Sequence, residues 1–436
     1  MKIQSATATV ELALTCPTML SPDSNSYRGQ FTPGPDGWKE FRIDERLNEP
    51  IKGSYVVPML PIEFHCHGVG PFDFTDIPNL KLDEINDHFA GEGVRGILTL
   101  YLPRPHLDAF LRMMKEFAAA KQAGQLPYIA GVALEGPVLG SFGGTPEIGV
   151  WTPTRDEWKN LARCGELGLQ YIVLSPDASM AESSIFASKE IEQPSVEWIC
   201  ELLLDHGVRP ALGHFWKNNP EASANCINKL LDIAERVGTL PAGHSVITDH
   251  LFNDMPRKFK HCWRTPAERT HREADLASMD LPSLTMENLV DRLGIVPATI
   301  MQAAKDRRLT VCLNFDGEHV DLAISRSVVE LLGADCIIAM TDRIDSKMLG
   351  GQRLLMPERS SLLYQSQGIV AAGSQPLTRQ VENMRSIGLS EEDIWKMTSF
   401  VPSRVLGIKE DQDEAGRPRS GYVVTAEHQR HVFSYV

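Results

Sequence analysis

The chain has 436 residues, 42% of them apolar and 23% charged, which is enough to bury a large core and is ordinary for a globular enzyme. A formal net charge of −14 leaves no basic face to attract phosphates, which argues against nucleic acid or an anionic membrane as a partner. The eight cysteines form no C-x-x-C pair, so a zinc knuckle or a thioredoxin-type motif is unsupported; several sit in apolar runs, where a free thiol behaves as a small buried hydrophobe.

The opening stretch, "MKIQSATATVELALTC", carries a glutamate inside its would-be apolar centre and no convincing cleavage site. No apolar run approaches the roughly 20 residues that span a bilayer, so a cytoplasmic address is expected. Residues 1–54 alternate short β-like runs with Pro-, Gly- and Ser-rich turns and read as an irregular β-rich segment. From there short apolar runs recur at 55–64, 94–102, 128–136, 169–176, 208–214, 244–252, 309–317 and 336–342. Most are separated by stretches with apolar residues three and four apart, such as "RPHLDAFLRMMKEFAAAKQAG" and "PSVEWICELLLDHG". Near-continuous hydrophobic strands alternating with helices suit a parallel sheet covered on both faces. Eight such units predict a TIM-type (β/α)8 barrel over 55–408, with an open doubly wound sheet as the alternative. The Rossmann G-x-G-x-x-G and the P-loop motif are both missing. One interval is long and rich in charge and histidine, an insertion at about 257–300, and a barrel loop of that size is expected to serve function or assembly. The tail, 409–436, reads as β-rich again.

Barrel enzymes carry their chemistry at the C-terminal ends of the strands. There the chain offers His65 and His67, Glu135 in "LEGP", His214 in "LGHF", His250 in "DHLFND", Asp316 and His319 in "DGEH", and Asp342 in "MTD". Residues i and i+2 of a strand share a face, so His65 and His67 can both point to the barrel axis, and Cys66 points outwards as a packed thiol. Imidazoles and carboxylates gathered in one mouth are the ligand set for zinc, iron or another divalent first-row metal. Taken singly, each has an ordinary structural explanation; together at strand ends they predict a metal site.

The motifs "VVPMLPIEFHCHG", "ALEGP", "LGHF", "DHLFNDMP", "DGEHVD", "MTD", "AAGSQPLT" and "PSRVLGI", in that order, resemble the amidohydrolase superfamily, and within it the N-acetylglucosamine-6-phosphate deacetylases. The resemblance runs from about residue 55 to about 408 and implies a barrel of that kind with a small, divergent β-rich segment formed by the chain ends. It implies one metal held by Glu135, His214 and His250, and a second by His65 and His67, with Asp342 as general base and acid beside the metal. Asn253, Asp254, His319, Arg343 and Ala371 fall at positions that contact the substrate. Two of these depart from the family in being charged, Asp254 after the sugar-binding asparagine and Arg343 after the catalytic aspartate. The loop "VLGSFGGTPEIGVW" has neither the histidine expected to bind phosphate nor any cation, and Arg257, His261 and Arg264 are candidate replacements. The implied reaction is hydrolysis of an N-acetyl amide by metal-bound hydroxide, releasing acetate and a free amine. One or two divalent ions, with zinc first, and a homodimer or homo-oligomer are the implied cofactor and assembly. The alternatives are a related hydrolase of an unphosphorylated N-acyl compound in a biosynthetic pathway and a metal-binding barrel without catalysis.

Overall fold

The computed structural model describes residues 59–180 and 194–408 together with the backbone of strands within 4–57 and 420–434. Eight parallel strands lie side by side in chain order: β1 (Ile62–Gly68), β2 (Arg95–Leu100), β3 (Ile129–Glu135), β4 (Leu169–Leu174), β5 (Arg209–Leu212), β6 (Ile247–His250), β7 (Thr310–Asn314) and β8 (Ile337–Met340). Three residues past β8, Arg343 pairs with Cys66 and Ile344 with Gly68, so the sheet curls until the eighth strand's continuation meets the first. The Asp342 amide donates to the His65 carbonyl at 3.0 Å along the same seam. An antiparallel pair, Leu362–Tyr364 and Val370–Gly373, extends the sheet beyond this seam.

The strands are apolar on both faces because both are covered. Ile62, Phe64, Ile97, Ala133, Val173, Ala211, Ile247, Ile338 and Met340 fill the interior. Leu98, Leu100, Val132, Leu134, Ile172 and Val311 pack outwards against the helical layer. Helix Pro220–Val237 shows the local logic. Asn219 caps it by accepting from the Ala222 amide at 3.1 Å, Pro220 opens its first turn, and Gly238 closes it with φ +61. Its buried residues, Ala224, Ile227, Leu230, Leu231 and Ala234, fall three and four apart and form the stripe that meets the sheet.

The run expected as one strand over 55–64 is two elements. Tyr55–Val57 joins a different sheet, between Thr18–Leu20 and Ser420–Val424, and β1 starts at Ile62. Pro58 and Pro61 explain the break, since proline cannot donate to a ladder. The side chains of 1–58 and 409–436 lie outside the described residues. The backbone strands there form a six-stranded sheet drawn from both ends of the chain. The insertion is helical, with Pro266–Arg269, Arg272–Met279 and Leu289–Leu293 preceding helix Ile295–Lys305. It is tied to the sheet mouth by a bidentate Arg272–Asp321 pair at 2.6 and 3.1 Å and by the Asp321 amide donating to the His261 carbonyl at 2.8 Å. Among the described residues no helix is long and apolar enough to cross a membrane, and the seven cysteines are free thiols.

Candidate metal centre and active site

The strand ends converge as the alternation rule requires, with two local departures that matter. β1 has a bulge between Glu63 and Cys66, where three residues oppose two of β2. Ile62 and Phe64 face the interior below the bulge, and His65 and His67 face it above. Cys66 points outwards, its thiol 3.5 Å from the Ile97 carbonyl, and burial pushes that thiol well above its usual range. β6 has a second bulge against β7 between Ile247 and His250. Such bulges re-aim side chains at barrel rims.

His65, His67, Glu135, His214, His250 and Asp342 are all buried and lie together. His65 Nε2 is 2.9 Å from Glu135 Oε2, His214 Nε2 is 2.9 Å from Glu135 Oε1, and His67 Nε2 is 3.1 Å from Asp342 Oδ1. Two groupings of ligand atoms emerge: Glu135, His214, Asp249 and His250, and His65, His67 and Asp342. Asp249 was not anticipated. The periodicity held the signal, because Asp249 lies two residues after the inward-facing Ile247.

The back of each ring fixes which nitrogen is offered. His67 Nδ1 donates to the Thr99 carbonyl at 3.2 Å, and His214 Nδ1 faces the Ser141 carbonyl at 3.1 Å and Asp254 Oδ2 at 3.0 Å. The Tyr171 hydroxyl donates to the Phe64 carbonyl at 2.9 Å and so accepts from His65 Nδ1 at 3.2 Å. All three imidazoles therefore carry a proton on the outer nitrogen and turn Nε2 inwards, the arrangement of a metal ligand oriented from behind. The turn at His214 is clamped by Ser175, whose hydroxyl lies against the carbonyls of Gly213 and His214 and accepts from the Gly140 amide. His214, Phe252, Asp254 and Asp342 all adopt positive φ, between +44° and +75°. Non-glycine residues held there mark sites where the surroundings over-determine the backbone.

The electrostatics fit a cation. Burial alone would lower the His67 pKa, but the Glu135 charge and hydrogen bonds with Asp342 and Glu135 raise it to about 10. His65 and His214 are raised in the same way, against burial, by Glu135, Asp249 and, for His214, Asp254. Burial would raise Asp342, yet the hydrogen bond from His67 and the charges of His319, His250 and His67 hold it down to about 2. These carboxylates demand positive charge in their midst, and a divalent ion supplies it by displacing imidazole protons. His214 Nε2, His250 Nδ1 and both oxygens of Asp249 are buried without a hydrogen bond among the described residues. The residues fit a divalent metal.

The clusters open into a cavity of about 460 Å³ lined by Glu135, His214, His250 and Asp342 and also by Asn253, Asp254, His319 and Ala371. Asn253 accepts from His261 Nε2 at 3.1 Å and keeps Nδ2 free of partners; burial and the charges of Arg257 and Arg264 hold His261 neutral. His319 is fixed by Asp316 at 2.6 Å, leaving Nε2 3.5 Å from Asp342 Oδ2. Asp254 sits in the wall paired with His214, Lys217 and Ser141, so its charge is engaged by the protein itself. Arg257, His261 and Arg264 complete the lining, and Arg264 Nε is buried without a partner among the described residues. Arg343 is a correction. It is 2% exposed and faces away from the cavity, held by Glu63 at 3.3 Å, Glu92 at 2.6 Å and Asp345 at 3.0 Å. Neighbouring residues on a strand point to opposite faces, so Asp342 in the mouth sends Arg343 outwards.

No family model matches the sequence, and no curated protein matches it. Solved structures do match. N-acetyl-D-glucosamine-6-phosphate deacetylase from Mycobacterium smegmatis aligns with a TM-score of 0.66 at 16% identity, over 96% of this chain and 97% of that one. A mutant of it in complex with N-acetyl-D-glucosamine-6-phosphate gives 0.64 at 16% identity, over 96% of each chain. The N-acetylglucosamine-6-phosphate deacetylase of Thermotoga maritima gives 0.60 at 16% identity, over 95% of each. Likeness at such low identity speaks for architecture, and on that ground this chain has the fold of the N-acetylglucosamine-6-phosphate deacetylases.

Proposed function

We propose that this protein is a metal-dependent hydrolase of N-acetyl amides, acting on an amino sugar of the N-acetylglucosamine-6-phosphate kind and releasing acetate and a free amine. The observation that carries the reading is a cavity in which two ligand clusters and the Asp342 carboxylate meet Arg257 and Arg264. When bound, a divalent ion there supplies Lewis acidity, making water a nucleophile at neutral pH and polarising the scissile carbonyl. Glu135, His214 and His250 would hold one ion, and His65, His67 and Asp342 a second; zinc suits both donor sets. Asp342, ionised at neutral pH, takes the proton of the attacking water and hands it to the departing amine nitrogen, so that the C–N bond breaks as the new C–O bond is completed. His319 Nε2 and Asn253 Nδ2, both without protein partners among the described residues, are the donors for substrate oxygens. Arg264 and Arg257 take the anionic end. We further propose that the chain-end strands, within 1–54 and 409–436, form a small β-rich appendage to the barrel.

The alternative, an unphosphorylated N-acyl substrate, draws on the wall formed by Ser141, Phe142, Gly143 and Gly144, which offers no cation. Acetate release from N-acetylglucosamine 6-phosphate and from N-acetylglucosamine, measured side by side, separates the two. A charge-assisted contact contributes about 1.5–3 kcal/mol, so the phosphate form should be favoured by about 10- to 100-fold, and Arg264→Ala should erase the preference. Equal turnover of the two sugars, or none of either, sinks the sugar-phosphate assignment.

A further inference from the structure

The structure assigns Asp249 as a fourth protein ligand of the cation held by Glu135, His214 and His250. This inference rests on the metal-dependent reading above and goes beyond its ligand set.

Position distinguishes a ligand from a residue that orients one. Asp254 touches His214 at Nδ1, the back of the ring, and acts from behind. Asp249 touches His214 at Nε2, at 3.3 Å, and His250 at Nε2, at 3.2 Å, so its Oδ2 occupies the side on which the ligand atoms gather. Glu135 Oε1 lies 2.9 Å from the same His214 Nε2. Four ligands at zinc-like bond lengths of 2.0–2.2 Å lie about 3.3–3.6 Å apart along the edges of a tetrahedron. The observed separations thus need adjustments of only a few tenths of an ångström to enclose an ion.

Asp249 has nothing else to do in the protein. Its side chain is fully buried, and neither oxygen has a hydrogen bond among the described residues. Burying an ionised carboxylate without a partner is very unfavourable, which makes a cation the expected occupant of the space before it. The fold also reserves room for this carboxylate. A Cβ at Gly213, at the end of β5, would lie 2.5 Å from Asp249 Cβ and 2.9 Å from its Oδ2, so only glycine fits. Asp249 Oδ1 lies 3.5 Å from His65 Nδ1, which places the same side chain behind a ligand of the other cluster. Asp249 therefore ties the two centres together.

A consequence follows for the division of labour. A cation with Glu135, His214, Asp249 and His250 has a complete protein shell of four, the pattern of a closed site. The cluster of His65, His67 and Asp342 provides three donors and so keeps the open position, on the side that carries the base.

The test compares wild type with Asp249→Asn and Asp249→Ser. Each is stripped by chelation, reloaded with excess Zn²⁺, desalted and analysed for metal by mass spectrometry; Co²⁺ titrations follow the visible spectrum. Wild type should retain two equivalents and each variant one, with affinity for the lost equivalent falling by at least about 100-fold, the upper end of what losing a mere orienting group does. The wild-type cobalt spectrum should contain a strong four-coordinate component that both variants lose. Melting of the metal-free forms checks that the variants fold. If they do not, the wild-type cobalt spectrum decides alone, and weak five- or six-coordinate absorption at every filled site overturns the assignment. Unchanged metal content with an unchanged cobalt spectrum in the variants overturns the role of Asp249 and leaves the hydrolase reading standing. A wild-type protein that binds no metal overturns both.

Discussion

Asp254→Asn offers a quantitative test of how the metal ligands are held. The asparagine fills the same space and can present an amide oxygen, but it removes the charge that Asp254 Oδ2 places 3.0 Å from His214 Nδ1. Removing the outer partner of a metal-bound histidine typically lowers metal affinity by 10- to 100-fold, about 1.4–2.8 kcal/mol. Here the Ser141 carbonyl, 3.1 Å from the same Nδ1, still accepts the ring proton and preserves the tautomer. The loss should therefore fall in the lower part of that range, about 10- to 30-fold. Titrating the metal-free variant with Zn²⁺ against a chromophoric chelator at pH 7.5 measures it. Lys217→Ala is the control, since Lys217 pairs with Asp254 from the exposed side and should matter less than threefold, as exposed ion pairs do. An Asp254→Asn affinity within twofold of wild type would refute the idea that this carboxylate orients His214. A loss beyond about 1,000-fold would refute it in the other direction, by making Asp254 a ligand.

Asp342→Asn should lower kcat/KM by about 10²- to 10⁴-fold, the usual contribution of a positioned general base, while the protein still retains the ion held through His214 and His250; a fall under tenfold contradicts the assignment. Arg343→Met should leave KM unchanged and lower stability by about 3–5 kcal/mol, because it strands the fully buried Glu63. Burial raises the Glu63 pKa to about 7, against the opposing charge of Arg343 and a hydrogen bond from Thr341. A carboxyl raised on folding binds more protons in the native state, so its contribution weakens as pH rises from about 4.5 to about 7. The Arg343→Met defect in melting temperature should accordingly be larger at pH 8 than at pH 5, and a pH-independent defect counts against the network. Cys66→Ala should bind as much zinc as wild type, since the thiol faces the helical layer; a reduced zinc content would make it a ligand after all.

Much of the barrel and of its mouth was readable from the sequence because β-strand periodicity and the clustering of chemistry at strand ends are both local signals. The eight apolar runs match β1 to β8 closely, apart from the first, where Pro58 and Pro61 divide a stretch that composition alone shows as continuous. What escaped is where local rules are broken or side-chain direction decides. The bulge at Glu63–Cys66 lets Phe64 and His65 serve the same interior, which simple alternation forbids. Reading only the last residue of β6 picked His250 and passed over Asp249, although its spacing from Ile247 marked it. Arg343 looked like a substrate contact because it follows Asp342, and the reversal of side-chain direction between them is visible only once both are placed. The three partners of Arg343, Glu63, Glu92 and Asp345, are spread over 282 residues of chain numbering at most, and no spacing rule links them.

The central claim is that cations held at the barrel mouth drive amide hydrolysis. The most direct test is to follow acetate release from N-acetylglucosamine 6-phosphate by the protein as purified, after chelation, and after readdition of Zn²⁺, with metal content determined for each sample. The account predicts turnover that disappears with the metal and returns with it. Turnover that survives complete removal of the metal, or a fully loaded protein that releases acetate from no N-acetyl sugar, would contradict it.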